Sequence, residues 1–229
     1  MAIFTPGPTV GAVSGSIGGT TYSHNRGGAY MRVRRIPTKS FTAYAMFVKA
    51  TMASVSRLWA GLDANEQQAW RVWAQNNPIT NRLGNQVTLA GHMAFMQLNN
   101  RLVQAGNGYI ELPPVVPAPV PLTSFSAVAD VSDNTCVLTF AASPIGANNK
   151  LWLEAAVVDG PGISYVENLF KLIDISAANQ ATGLDVKTEL QARFGNMIAD
   201  QVIHWRAAIL DTATGLLSGP ITAQTTVVG

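Results

Sequence analysis

Apolar and polar positions divide the chain into stretches of different period. Between residues 20 and 35 they alternate. Tyr30-Met-Arg32-Val-Arg34 sets Met31 and Val33 on one side and Tyr30, Arg32 and Arg34 on the other, the period-two signature of a strand. Thr20-Thr-Tyr22-Ser reads as a second short strand, and Asn25-Arg-Gly27-Gly28 supplies turn residues between the two. From Ser40 to Gly106 the period becomes three-and-four. Tyr44, Phe47, Val48, Met52, Val55, Leu58 and Trp59 predict one face of a helix of about five turns. Asp63 followed by Glu66 forms a carboxylate variant of the capping box, opening a shorter helix whose hydrophobes are Trp70, Val72 and Trp73. Pro78 and the run from Asn81 to Asn85 break it. A third helix begins after Thr88, carries Met93, Met96, Leu102 and Val103, and ends at Gly106, where glycine can take positive φ.

Leu112-Pro-Pro-Val-Val-Pro-Ala-Pro-Val-Pro121 then favours polyproline II, a semi-rigid spacer, and predicts a domain boundary. Beyond it the pattern is that of short strands: 124–131, 135–141, 151–158, 170–175, 202–211 and 221–228, punctuated by Asp-Asn, Pro-Ile-Gly, Asp-Gly-Pro-Gly and Thr-Gly. One interruption, Asp185 to Phe194, stopped by Gly195, reads as a helix inserted between strands. The predicted fold class is therefore α+β and multidomain. It comprises a Gly-rich basic β-hairpin or extended arm (1–39), a small helical domain (40–111), the proline-rich linker (112–121) and a C-terminal immunoglobulin- or fibronectin-like β-sandwich with an inserted helix (122–229).

Composition narrows the classes. A hydrophobic content of 48% indicates a folding chain, while 12% charged residues is about half of what soluble domains usually carry, which suits a protein packed among partners. No run of about 18 apolar residues exists to span a membrane, and MAIFTPGPTV has neither a basic n-region nor a long apolar core for export. The expectation is a protein retained in the cytoplasm where it is made. The single cysteine, Cys136, lies in an alternating run and is expected to be a buried strand residue rather than a reactive thiol.

Charge is unevenly placed. Arg26, Arg32, Arg34, Arg35, Lys39, Lys49 and Arg57 precede the first acid, Asp63, whereas from Leu122 onward ten acids face five bases.

Candidate chemistry is sparse. Gly11 to Gly19 could surround an oxyanion with backbone N–H groups, but no Lys-Ser or Lys-Thr follows and no buried strand precedes it, so the phosphate-loop and dinucleotide fingerprints both fail. His24, His92 and His204 fall in three different segments without acids at ligand spacing. No G-x-S-x-G elbow occurs, and Cys136 lacks a histidine partner. The expectation is a protein that is not an enzyme and uses no cofactor or metal. Trp59, Trp70 and Trp73 fall at helical spacing and are expected as helical core or interface anchors. The residues expected to carry function lie in the arm: Thr20, Tyr22, Arg26, Tyr30, Arg32, Arg34 and Arg35. They suit either an intersubunit interface, with an acidic half of a neighbouring copy as partner, or a phosphate backbone with tyrosines for stacking.

Two resemblances set these features in context. "VIHWRAAILDTATGLLSGPITAQTTV" resembles the last hairpin of fibronectin type III domains, which implies a sandwich used for adhesion or spacing. "GSIGGTTYSHNRGGAYMRVRRIPTKS", "RLWAGLDANEQQAWRVWA" and "NRLGNQVTLAGHMAFMQLNNRL", followed by the proline linker, together resemble uncharacterised proteins of tailed bacteriophages and prophages. That resemblance implies a virion structural role, with capsid, portal or tail proteins and copies of the chain itself as partners. Head decoration or cementing and head-to-tail connection are the roles expected, with assembly in the bacterial cytoplasm and no membrane partner. A nucleic-acid-binding packaging protein using the basic arm is the alternative, and a carbohydrate-binding adhesin using the sandwich is the third.

Overall fold

The structure is a computed structural model. It describes every residue except Met1, 4–6, Thr9, 26–27, 36–41, 81–84, Pro161 and Ser164. The chain divides into two compact units, Met1–Met46 and Phe47–Gly229.

The first unit is a four-stranded antiparallel sheet, where the sequence predicted a hairpin or extended arm. Its strands are β1 (Ala2–Ile3), β2 (Gly15–Ile17), β3 (Thr20–Asn25) and β4 (Gly28–Val33), in the spatial order β1-β4-β3-β2. The alternation that predicted β3 and β4 sets their register: Thr20 pairs with Val33, Tyr22 with Met31 and Ser23 with Tyr30. The addition of β2 depends on the two-residue loop Gly18-Gly19, with Gly18 at φ +56°, which the right-handed twist of a tight hairpin requires.

The second unit begins with helices. α1 (Ala43–Gly61), whose first four residues belong to the first unit, has the predicted length, but its fully covered positions begin only at Thr51. Val55 is buried and Leu58 and Trp59 are packed, whereas Tyr44, Phe47 and Met52 from the predicted stripe stay exposed. α2 (Ala64–Asn76) starts at the predicted capping box: Glu66 N donates to Asp63 Oδ1 at 2.7 Å and Asp63 N donates to Glu66 Oε2 at 2.8 Å. α3 (Gly91–Gln104) packs so closely on α2 that a Cβ on Gly91 would stand 2.8 Å from Arg71 N. It ends as predicted at Gly106, with φ +76°. A small hairpin, β5 (Ile79–Thr80) with β6 (Gln86–Val87), lies between α2 and α3.

The remaining strands form a sandwich. β7 (Ser124–Asp130), β8 (Thr135–Ala141) and β11 (Leu184–Asp185) make a three-stranded sheet, ordered β11-β8-β7. β9 (Asn149–Val158), β10 (Lys171–Ile175), β12 (Val202–Asp211) and β13 (Ile221–Thr226) make a four-stranded one, ordered β10-β9-β12-β13. Ala129, Cys136, Leu138 and Phe140 from the first sheet meet Leu151, Leu153, Ile203, Trp205 and Ile209 from the second in one core. The inserted helix, α4 (Lys187–Phe194), contributes Leu190 to that core and stops at Gly195 with φ +91°. The chain end crosses between sheets, with Thr225 Oγ1 donating to Ala127 O at 2.8 Å and Val228 N to Ala129 O at 2.9 Å. This half is an antiparallel β-sandwich, as its strand rhythm suggested.

The proline-rich segment does not separate the helices from the sandwich, contrary to the domain boundary predicted at 112–121. Trp70 Nε1 donates to Glu111 O at 2.6 Å and Trp73 Nε1 to Pro114 O at 3.0 Å, fastening the segment to α2. Extended proline-rich backbone lacks internal hydrogen bonds, so its carbonyls are open to these indole donors. The loop joining β12 to β13 then sits on α3: Gly215 has φ +74°, and a Cβ there would approach Leu98 O to 2.6 Å. Asn107 Nδ2 donates to Thr212 O at 3.1 Å, and Lys150 Nζ donates to Ala105 O. Helices and sandwich are one compact unit.

Cys136 is fully buried and free. Burial, reinforced by the Asp185 carboxylate, pushes its thiol up to about 12. The folded value exceeds the unfolded one of about 8.5, so the neutral thiol's contribution to stability is complete below that pH and fades as pH rises toward the folded value. The native protein at pH 8 is therefore expected to resist a chromogenic disulfide reagent that labels one thiol per chain once guanidinium is added. Rapid labelling without denaturant would show the burial to be wrong.

Candidate interaction surfaces and a cleft

The register of the N-terminal sheet sorts its predicted interface residues onto two faces. Cross-strand partners share a face, so Ile17, Thr20, Tyr22, Met31 and Val33 lie on one side. Ser16, Thr21, Ser23, Tyr30 and Arg32 lie on the other. The first face is mainly apolar, although His24, paired with Ala29, also lies on it, and the second is polar and basic. Ile17 and Val33 are 75% and 76% exposed, and no described residue of the unit is buried. A sheet of this kind has an apolar side that calls for a second layer. Arg34 and Arg35 follow β4 and are exposed, and Arg34 N donates to Gly19 O at 2.8 Å. Arg26 lies outside the described residues. Since the sequence has no acid before Asp63, none of these arginines can find a carboxylate within its own unit.

The three tryptophans gather in the helical core. Trp70 is fully buried, with its ring centroid 5.3 Å from Phe95 at 89° and 5.8 Å from Trp73. Trp59 stands 5.4 Å from both Phe95 and His92. Phe95, which ties the cluster together, was not singled out by the sequence pattern. Asn99 was also missed: it is buried, accepts from Ile110 N at 2.7 Å and donates to Ile110 O at 3.2 Å, holding the chain that leaves α3. A buried asparagine inside an amphipathic stripe gives no advance sign of which backbone it will clamp.

A cleft of about 500 Å³ lies where α2, α3 and residues 116–118 face the outer side of the four-stranded sheet, and sequence reasoning did not foresee it. Trp73 and Trp152 contribute indoles to its lining, and Gln97 and Arg101, one helical turn apart on α3, contribute donors. Glu154 and Arg206, cross-strand partners on β9 and β12, complete the polar part. Arg206 is engaged by Glu154 at 3.4 Å and by Glu167, and its guanidinium stacks 4.1 Å from the Phe170 ring centroid. Glu154 also accepts from Trp152 Nε1 at 3.1 Å. Burial lowers the Arg101 guanidinium to about 10, with the Glu154 charge acting in the opposite sense, so it remains a cation at neutral pH.

No family model matches the chain, and no curated protein matches it. Among solved structures it is similar to an Fn3-like protein from Clostridium thermocellum, at 19% identity and a TM-score of 0.32, over 49% of this chain and 97% of that one.

Among the described residues, no three His, Cys, Asp or Glu side chains gather as they would around a metal ion, and no helix is long and apolar enough to cross a membrane.

Proposed function

We propose that the protein is a non-enzymatic structural component of a tailed-phage particle, present in many copies and attached through its N-terminal sheet and helices. It would serve as a head decoration or cement protein, or in the head-to-tail connection, with the sandwich projecting or bridging. Capsid, portal or tail proteins and further copies of the chain are its partners, and the role needs no cofactor. The resemblance of its motif order to phage and prophage proteins suggests the setting.

The observation that carries this reading is the amphipathic N-terminal sheet, whose unit buries none of its described side chains. Ile17, Tyr22, Met31 and Val33 would gain a hydrophobic layer from a neighbouring subunit, and full burial of each such side chain contributes about 1.5–3 kcal/mol. The exposed Met46 and Phe47 on α1 are further apolar surface for contact. Opposite charge at the two ends of the sequence favours head-to-tail packing of copies.

A nucleic-acid role is the second reading, because Tyr30 and Arg32 share the polar face and Arg34 and Arg35 are exposed beside it. Density-purified particles stripped of external DNA by nuclease should contain the full-length chain at a fixed, multiple copy number. The purified protein should shift duplex DNA weakly at about 50 mM salt, where phosphate contacts are strong. Absence from particles together with tight, salt-sensitive DNA binding would overturn the structural reading in favour of the second.

A further inference from the structure

The cleft between α3 and the sandwich has an imbalance of hydrogen-bonding groups. Its carboxylate is spent: Glu154 already accepts from Arg206 and Trp152. Its donors are not. Arg101 makes one long hydrogen bond, from Nη1 to Gly215 O at 3.5 Å, and Gln97 makes none with the described residues. A guanidinium offers five N–H donors in a planar fork suited to a carboxylate. A ligand that fits here must bring acceptors, and the strongest available is an anionic oxygen pair.

The walls narrow the body that carries that anion. Trp73 and Trp152 present indole surface, while Gln97 and Asn77 offer side-chain amides near it. A pyranose ring has an apolar C–H face for an indole and hydroxyls for amides, whereas a purely aliphatic acid would leave the Gln97 amide without a partner, Asn77 Nδ2 already donating to Trp73 O at 2.9 Å. An extended peptide fits less well. The cleft lies on the face of the sheet, where β12 has its backbone paired with β9 on one side and β13 on the other, so no strand edge is open for a peptide to join. The volume of about 500 Å³ falls within the range of small-ligand sites.

We propose that this cleft binds an acidic saccharide, with the sugar carboxylate on Arg101 and Gln97 and a pyranose face against Trp73 or Trp152. All the residues that line the site belong to the second unit. It would give the particle or complex that carries the chain a contact to a uronate- or sialate-bearing polysaccharide.

The test titrates full-length protein with a panel of galacturonate, glucuronate and sialate oligosaccharides and their carboxyl-reduced counterparts, following indole emission and heat. At least one acidic member should bind saturably and at least about tenfold more tightly than its carboxyl-reduced form, the discrimination expected for a charge-assisted pair. Arg101→Gln should abolish that preference, with circular dichroism and melting temperature checking its fold. Gln97→Ala, at a half-buried position one turn before Arg101, should weaken acidic binding, with circular dichroism and melting temperature checking its fold as well. The proposal is overturned if no acidic saccharide binds, if the reduced sugars bind as well, if folded Arg101→Gln binds unchanged, or if a Glu-rich hexapeptide binds more tightly than every sugar.

Discussion

Trp70→Ala should lower the stability of the second unit by about 3–5 kcal/mol, the range for deleting a fully buried large aromatic. The indole packs in the helical core, edge-on to Phe95 and Trp73. Its loss also releases the Glu111 carbonyl, which the indole N–H holds at 2.6 Å at the start of the proline-rich segment. Trp70→Phe separates the two effects, retaining most of the hydrophobic volume and losing the hydrogen bond, which is worth about 0.5–1.5 kcal/mol because Glu111 is exposed and water can replace the indole donor. Urea unfolding followed by far-ultraviolet dichroism reads both variants. Because helices and sandwich are one unit, the helix and strand signals should move together, and an alanine variant with an unchanged midpoint would show that Trp70 is not a core residue.

The second large effect concerns the N-terminal sheet. A chain lacking residues 1–39 retains α1 from its first turn and the whole of the helical and sandwich cores, none of which draws a buried residue from the deleted part. It should melt within a few degrees of the full-length protein. Its incorporation into particles should nevertheless fall at least tenfold, because the apolar face of Ile17, Tyr22, Met31 and Val33 and the exposed arginines have gone with it. Arg32→Glu in the full chain should weaken incorporation less, since one exposed charge contributes at most about 1 kcal/mol. A truncated chain that fills particles normally would remove the sheet from the attachment account.

Much of this architecture is legible along the chain, for identifiable physical reasons. The strands of the sandwich are long, alternate cleanly and end in turn residues, so β7, β8, β9, β10, β12 and β13 fall at their predicted places. The Asp63–Glu66 box and Gly106 marked helix ends because capping chemistry is local. The two-residue strands β5, β6 and β11 left no period to detect. The apolar stripe of α1 predicted burial along its whole length, yet Tyr44, Phe47 and Met52 are exposed, because periodicity shows which face is apolar and not what covers it. The proline segment misled for a different reason. Composition set its stiffness correctly as a rule of backbone, but docking depended on Trp70 and Trp73, about forty residues away, offering indole N–H groups to its carbonyls.

The candidate sites divide in the same way. Alternation placed Met31 and Val33 opposite Tyr30 and Arg32, and the strand register carries that separation across the sheet. Thr20 and Tyr22 were grouped with the arginines by sequence proximity, whereas pairing puts them with Met31 and Val33 on the apolar face. The cleft could not be read in advance, since Gln97, Arg101, Trp152 and Glu154 come together only when α3 docks on the sandwich through Gly215.

The most direct measurement is a reconstruction by electron cryomicroscopy of particles that contain the full-length chain. The account predicts that Ile17, Tyr22, Met31 and Val33 are buried against a neighbouring subunit, with Arg32, Arg34 and Arg35 beside acidic groups of that neighbour or another. An N-terminal sheet whose apolar face points into solvent, or arginines that track only the DNA backbone, would contradict it.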